Sequence, residues 1–244
     1  MPALLSVENN AVQEPVTRIT SEGFREASHI TRTITISWTR NSLLNLVVRR
    51  AAYNQAIATM YGVTDELVRA SSHEQEKFIY RLCPDQVDVG QNKPSTFDWL
   101  LSRTRDGLGH NAPRELIHFL NCLRDAQIKR IEQGESEADG EKLFTRASFK
   151  DALPEVSKVR LEQTLYAEHP SKKSLIEKLR GEKTYQTPDS LAVIWGKSAG
   201  EAAAEAIDLA GVGFLEVRGS KQDPGFWVPF LYRDALDLVQ GTAD

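Results

Sequence analysis

The chain has 244 residues, 41% of them hydrophobic and 26% charged, with a formal net charge of −4 at neutral pH. This is an ordinary globular composition with room for one large domain or two small ones. The negative balance excludes nucleic-acid binding driven by overall charge and leaves only a local basic patch to serve it. Two cysteines, Cys83 and Cys122, are too few for a disulfide scaffold or a four-thiolate metal site. Both fall on apolar helix faces, as free thiols do in a reducing cytoplasm. No run approaches the ~20 apolar residues of a membrane-spanning helix, and no basic-then-apolar leader opens the sequence, so the expectation is a cytoplasmic protein.

Residues 1–32 carry scattered hydrophobics broken by Asn9, Asn10, Pro15 and Gly23, a weak start for an independent domain. Residues 33–38 (TITISW) alternate and predict a short strand. Thr39 then caps a helix striped by Leu43, Leu44, Val47, Val48 and Ala51, running to about Met60 and stopped by Gly62. Ser71-x-x-Glu74 is a capping-box pattern that opens a helix through Phe78, Ile79 and Leu82, ended before Pro84. After a polar loop from Gly90 to Pro94, Ser95 or Thr96 begins a helix through Phe97, Trp99, Leu100 and Leu101, closed near Gly107.

Residues 111–131 (NAPRELIHFLNCLRDAQIKRI) give the strongest helix signal in the chain. Pro113 suits a first turn, Asn111 is placed to cap it, and Glu115 sets negative charge against the helix dipole. Leu116, Ile117, Leu120, Leu123 and Ile131 recur at three- and four-residue spacing and predict one buried face. Lys129, Arg130 and then Gly134 supply the stop. Residues 134–140 (GESEADG), acidic and glycine-flanked, mark an expected boundary between a helical domain at 33–135 and a second domain at 143–244.

In that second part, Phe149, Leu153, Val156, Val159, Leu161 and Leu165 predict one or two helices interrupted near Pro154. Residues 171–180, 189–195 and 199–210 predict three more, the last stopped by Gly211 and Gly213. Residues 214–218 and 226–231 read as strands around the turn-rich 219–225, and residues 233–239 as a closing helix. Helices followed by a β-hairpin are the layout of a winged-helix domain. The expected fold class is therefore mainly α, a helical bundle followed by a winged-helix domain.

Chemistry-bearing patterns are few. His29, His73, His110, His118 and His169 show no zinc-ligand spacing. No Gly-x-Ser-x-Gly elbow or catalytic triad can be argued from spacing. The pairs Asp85/Asp88 and Glu135/Glu137 read as solvated loop charge. Lys172, Lys173, Lys178, Arg180 and Lys183 crowd one short helix and its exit, and Arg218 and Lys221 lie at the wing. They motivate a DNA-binding alternative, with Glu177 and Glu182 diluting the cluster. Phe226, Trp227, Phe230 and Tyr232 form a dense aromatic run. Alternation would put Phe226, Val228 and Phe230 on one face and Trp227 and Leu231 on the other, as in a doubly buried strand or an interface. Pro229 points to an edge position. A third alternative, an enzyme with an unrecognised site, rests on no motif.

Three stretches resemble the C-terminal part of a bacterial P-loop ATPase of the broad AAA+/STAND kind: residues 24–50, where GFREASHI leads through ISW into TRNSLLNLVVRR; 111–121, NAPRELIHFLN; and 213–236, where GFLEV and FWVPFLYRDAL flank a loop. The resemblance implies a helical lid followed by a winged helix, and it places Arg114 where the family's arginine senses the γ-phosphate. A planar, permanently charged guanidinium suits that task. The phosphate loop G-x-x-x-x-G-K-[ST] is lacking: Gly196-Lys197-Ser198 follows an apolar run, but Leu191 occupies the first glycine's place. The resemblance thus implies the regulatory tail of a truncated or split ATPase. Such a tail is non-catalytic and binds no cofactor alone, with ATP and Mg arriving only on a core supplied in trans. It docks on a protein partner or self-associates, away from membranes.

Overall fold

Side-chain capping sets the start of three helices in the first half. The computed structural model describes residues 38–243 apart from Ser136 and Lys221. The unpatterned residues 1–32 and the strand expected at 33–38 lie outside the described residues, Trp38 excepted. Helix α1 spans Arg40–Ala52 and buries Leu43, Leu44, Val47 and Val48. The expected continuation to Met60 breaks because Asn54 starts a new helix: its side-chain oxygen accepts from the N–H groups of Ala56 (3.1 Å) and Ile57 (3.2 Å). That helix, α2 (Gln55–Tyr61), is closed by Gly62 in the left-handed region at φ 64°. After α3 (Asp65–Arg69), α4 (Ser72–Leu82) and α5 (Thr96–Arg103) start on Ser71 and Ser95, whose hydroxyls accept from the N–H groups of Glu74 and Asp98.

Helix α6 spans Pro113–Glu132. Its cap is Ala112, with no side-chain cap bond, rather than Asn111. Asn111 turns inward and donates its Nδ2 to the Leu101 carbonyl (2.6 Å) and Thr104 Oγ1 (3.0 Å), pinning the preceding loop to α5. The buried face is Glu115, Leu116, Phe119, Leu123 and Gln127, a true helical stripe. Ile131, expected in that stripe, is 42% exposed, and Phe119 takes the central place.

Helix α7 (Arg146–Val159) runs straight through Pro154 instead of stopping there. Proline withholds a donor from the carbonyl four residues back, but Pro154 and Lys150 both face solvent, so water can serve that carbonyl. A π-helical segment, Arg160–Leu165, follows, with the Tyr166 N–H bonded to the Leu161 carbonyl, and then α8 (Tyr166–Glu168). Trp99 of α5, Phe119 of α6 and Phe149 of α7 meet at centroid distances of 6.1 to 6.2 Å and form the centre of the core. Arg40–Asp244 is one compact unit whose core includes residues from both sides of 134–140.

A 3-10 turn at Pro170–Lys172 leads to α9 (Lys173–Glu177), β1 (Lys183–Gln186), α10 (Pro188–Trp195) and α11 (Ala199–Gly211). The hairpin β2 (Glu216–Gly219) and β3 (Pro224–Trp227) follows. The strand expected to reach Leu231 ends at Trp227, because Pro229 has no N–H for a ladder and instead caps α12 (Phe230–Arg233). In place of a closing helix at 233–239 come α12, a 3-10 turn at Asp234–Leu236 and a fourth strand, β4 (Val239–Thr242). The sheet order is β2-β3-β1-β4, with β4 parallel to β1 and the other pairs antiparallel. Gly107 is a point of close approach: its N–H donates to the Gly213 carbonyl at 2.7 Å, and a Cβ there would sit 2.2 Å from the Leu215 carbonyl oxygen.

Candidate functional site

The residues gathered around Arg114 come from α6 and from the π segment that follows α7, 45 to 50 positions apart in sequence. Arg114 and Glu115 stand on the first turn of α6, where the leading N–H groups have no intrahelical acceptor. Opposite them runs the π segment, on which Arg160 and Thr164, four residues apart, share the face that meets α6. Arg160 Nη1 donates to Glu115 Oε1 at 2.8 Å, and Arg114 reaches the same oxygen through Nε at 3.4 Å and Nη2 at 3.3 Å. Arg114 Nη2 also donates to Thr164 Oγ1 at 2.9 Å. Behind them Arg160 Nε meets the Tyr232 hydroxyl at 3.4 Å. Burial works against the Arg160 charge, but Tyr232 and Glu115 outweigh it and hold its pKa above the usual arginine value. Burial pushes the Tyr232 phenol up.

Arg114, Glu115, Arg160 and Thr164 line a cleft of about 240 Å³, together with His118, Val156, Val159 and Gln163. Arg114 stands at its mouth with a side chain 66% exposed, whereas the Glu115 side chain is 7% exposed. Glu115 Oε2 is buried without a hydrogen-bond partner. Two arginines against one glutamate leave one net positive charge in the lining. The arrangement sets two guanidinium groups on one carboxylate oxygen and leaves the Arg114 end open to solvent. Arg114 was legible in the sequence. Arg160 and Thr164 were not, because only packing of α6 on α7 brings them to it.

Five of the basic residues singled out in the second half meet internal partners, whereas Lys183 on β1 is exposed. Lys172 pairs with Asp208, and Lys173 lies 5.3 Å from the Tyr166 ring centre. Lys178 donates to the Trp195 carbonyl at 3.3 Å. Arg180 bonds Glu177, Asp237 and the Ala235 carbonyl. Arg218 bonds Glu216 at 2.8 Å. Lys221 lies outside the described residues. Gly196-Lys197-Ser198 is a helix junction: Gly196 closes α10 at φ 66°, Lys197 pairs with Glu205, and Ser198 forms a capping box with Glu201 at the head of α11.

The aromatic run divides. Phe226 and Tyr232 are wholly buried and belong to the core, while Trp227 and Phe230 are half-buried. Guanidinium groups interleave with the outer rings. Arg218 lies 3.9 Å from the Trp227 ring centre, Arg233 lies 4.5 Å from Trp227 and 4.0 Å from Phe230, and Arg103 lies 3.6 Å from Phe230 and 4.8 Å from Trp99. Burial and the two neighbouring arginines pull the Arg233 pKa down to about 10. This stack ties α5 to the hairpin, and neither Arg103 nor Arg233 carries a sequence signal for it.

Among the described residues no group of three or more His, Cys, Asp or Glu side chains could hold a metal ion, and no helix is long and apolar enough to cross a membrane. No protein-family model, no curated protein and no solved structure matches this chain.

Proposed function

We propose that this chain is a non-catalytic regulatory module that docks on a nucleotide-binding protein of the P-loop ATPase kind. The observation that carries the reading is the outer surface of α10 and α11. The order β1-α10-α11-β2-β3, with β3 lying between β1 and β2, supports reading residues 183–227 as a winged helix. In such a unit α11 occupies the place of the recognition helix. It contains Glu201, Glu205 and Asp208 and no lysine or arginine. The lysines that reach it, Lys172 and Lys197, are held in ion pairs with Asp208 and Glu205. Phosphate contacts need free cationic side chains. Ile207 is instead 57% exposed and Val193 of α10 is 84% exposed, which suits an apolar protein contact. On the family resemblance, Arg114 would face the partner's nucleotide.

A photo-crosslinking residue at position 207 of the full chain, expressed in its own cells, tests the reading. The expected adduct is a P-loop ATPase, and V193D should remove it. Absence of such an adduct, or duplex DNA binding that weakens steeply with salt, would overturn the proposal in favour of the DNA-binding alternative.

A further inference from the structure

We infer that the open face of the sheet binds single-stranded nucleic acid, with a base stacked on Tyr185 and neighbouring phosphates on Arg218 and Lys183. This activity lies apart from docking and uses neither α11 nor the cleft.

Register decides which side chains share that face. Residues directly opposite on adjacent strands point the same way, and side chains alternate along each strand. Trp227 lies opposite both Glu216 and Tyr185, and Arg218 lies opposite Gly225. Lys183, Tyr185, Glu216, Arg218, Gly225 and Trp227 therefore belong to one face. Thr184, Gln186 and Phe226 belong to the other and are buried, so that one is the core side. On the first face Lys183 and Arg218 are exposed and Tyr185 and Trp227 are half-buried, within reach of a ligand from solvent.

The first feature that suits a nucleic acid strand is a seated ring. A Cβ on Gly225 would lie 1.7 Å from the Tyr185 hydroxyl oxygen. The phenol therefore leans across bare β3 backbone instead of standing clear of the sheet. Among the described residues neither a ring nor a guanidinium is stacked on Tyr185, whereas Arg218 and Arg233 already lie on Trp227. Every base has a π-face, so an aromatic ring seated on a sheet takes bases with little regard to sequence. The second feature is charge. Among the described residues Arg218 makes one hydrogen bond, from Nε to Glu216, and both Nη groups stay open to a phosphate. Arg233 bonds the Val228 carbonyl and Gln240 rather than a carboxylate. Arg103, Arg218, Arg233 and Lys183 stand here against Glu216 and Asp234, a local excess of two positive charges on an acidic chain. The third is spacing. Lys183 on β1 and Arg218 on β2 are two strand spacings apart, about 10 Å, with the Tyr185 ring leaning between them. Phosphates on either side of a stacked base can meet the two cations at once. A duplex keeps its bases stacked on one another and out of reach of Tyr185, so the occupant is a single strand.

The test is fluorescence anisotropy of labelled oligouridine and oligothymidine of about twelve nucleotides, titrated with the full chain at ~50 and ~200 mM salt, with a duplex of the same length as control. Saturable binding of at least one strand, tenfold or more tighter than the duplex and weaker at the higher salt, is expected, and the tighter arm distinguishes RNA from DNA as the source. Y185L, which keeps apolar bulk over Gly225, should weaken binding about tenfold, and Y185F should retain it. R218A should weaken binding and reduce the salt slope by about 0.7. R114A, on α6, should leave binding unchanged. If Y185L does not fold, the paired surface changes K183A and R218A carry the same test. No saturable single-strand binding, equal binding of the duplex, or full binding by folded Y185L or by the paired variant would overturn the inference. Crosslinking at position 207 reads a different surface, so the docking proposal stands or falls on its own assay.

Discussion

Replacing Phe149 by alanine asks whether the described chain unfolds as one cooperative body. Phe149 follows the acidic stretch 134–140 yet packs on Trp99 and Phe119, which precede it, at 6.1 and 6.2 Å between ring centres. Phe144 stands edge-on at 6.3 Å, and Phe149 itself is 0% exposed. Truncating a core phenylalanine costs about 3–5 kcal/mol through lost burial and the cavity left behind. For a chain of this size each kcal/mol moves Tm by roughly 2–4 °C, so F149A should lower Tm by about 6–20 °C. Urea unfolding followed by far-UV circular dichroism and by tryptophan fluorescence provides the check. Variants retaining only Trp99 or only Trp195 would report on regions before and after the acidic stretch. One transition with coincident midpoints, moved as a whole by F149A, is expected. Two separated transitions, with F149A shifting only the later region, would refute the idea that this aromatic contact couples the two sides.

Other consequences follow from single contacts. G107A should destabilise the chain by at least ~1 kcal/mol in urea unfolding, since its new Cβ meets backbone atoms of Leu215 and Gly213 and breaks a backbone hydrogen bond. G200A, with nothing within 4 Å of the added methyl, should be neutral or slightly stabilising; equal losses in both would contradict the steric argument. The Arg40 guanidinium holds the Asp98 carboxyl below its ordinary value. The folded pKa lies under the unfolded value of about 4, so the pair contributes fully above that pH and is lost as pH falls through the lowered value. D98N should therefore flatten the stability profile between pH 7 and pH 3, by a modest amount because both side chains are more than a third exposed. An unchanged profile would dismiss the pair. Burial pushes the Cys83 thiol up to about 12 and raises Cys122 as well. Because the thiolate is the reactive form, a thiol reagent at pH 8 should label Cys122 slowly and Cys83 only in denaturant. Rapid labelling of both would refute the burial.

Signals confined to one turn of chain were readable. Ser71, Ser95, Gly62 and Gly196 sit where local capping chemistry puts helix ends. Where two local signals competed, the outcome depended on the fold. Asn111 had the chemistry of a cap, but α5 offered its amide two acceptors, so it became a loop anchor. Pro154 had the chemistry of a breaker, but its position on the solvent side of α7 let the helix continue. The strands β1 (KTYQ) and β4 (VQGT) are four residues each with no sustained alternation of apolar residues. What makes them strands is the neighbour each one pairs with.

The same reasoning explains why half of the cleft was visible and half was not. Arg114 announces itself by its place beside Pro113 at a helix start. Glu115 looks like a routine first-turn acid, stabilising the helix dipole from solvent. Packing of α7 converts it into a buried carboxylate, and the π segment then places Arg160 against one of its oxygens while leaving the other free. In an α-helical register Arg160 and Thr164, four residues apart, would still share one face, so their spacing against α6, and not the winding, sets them side by side.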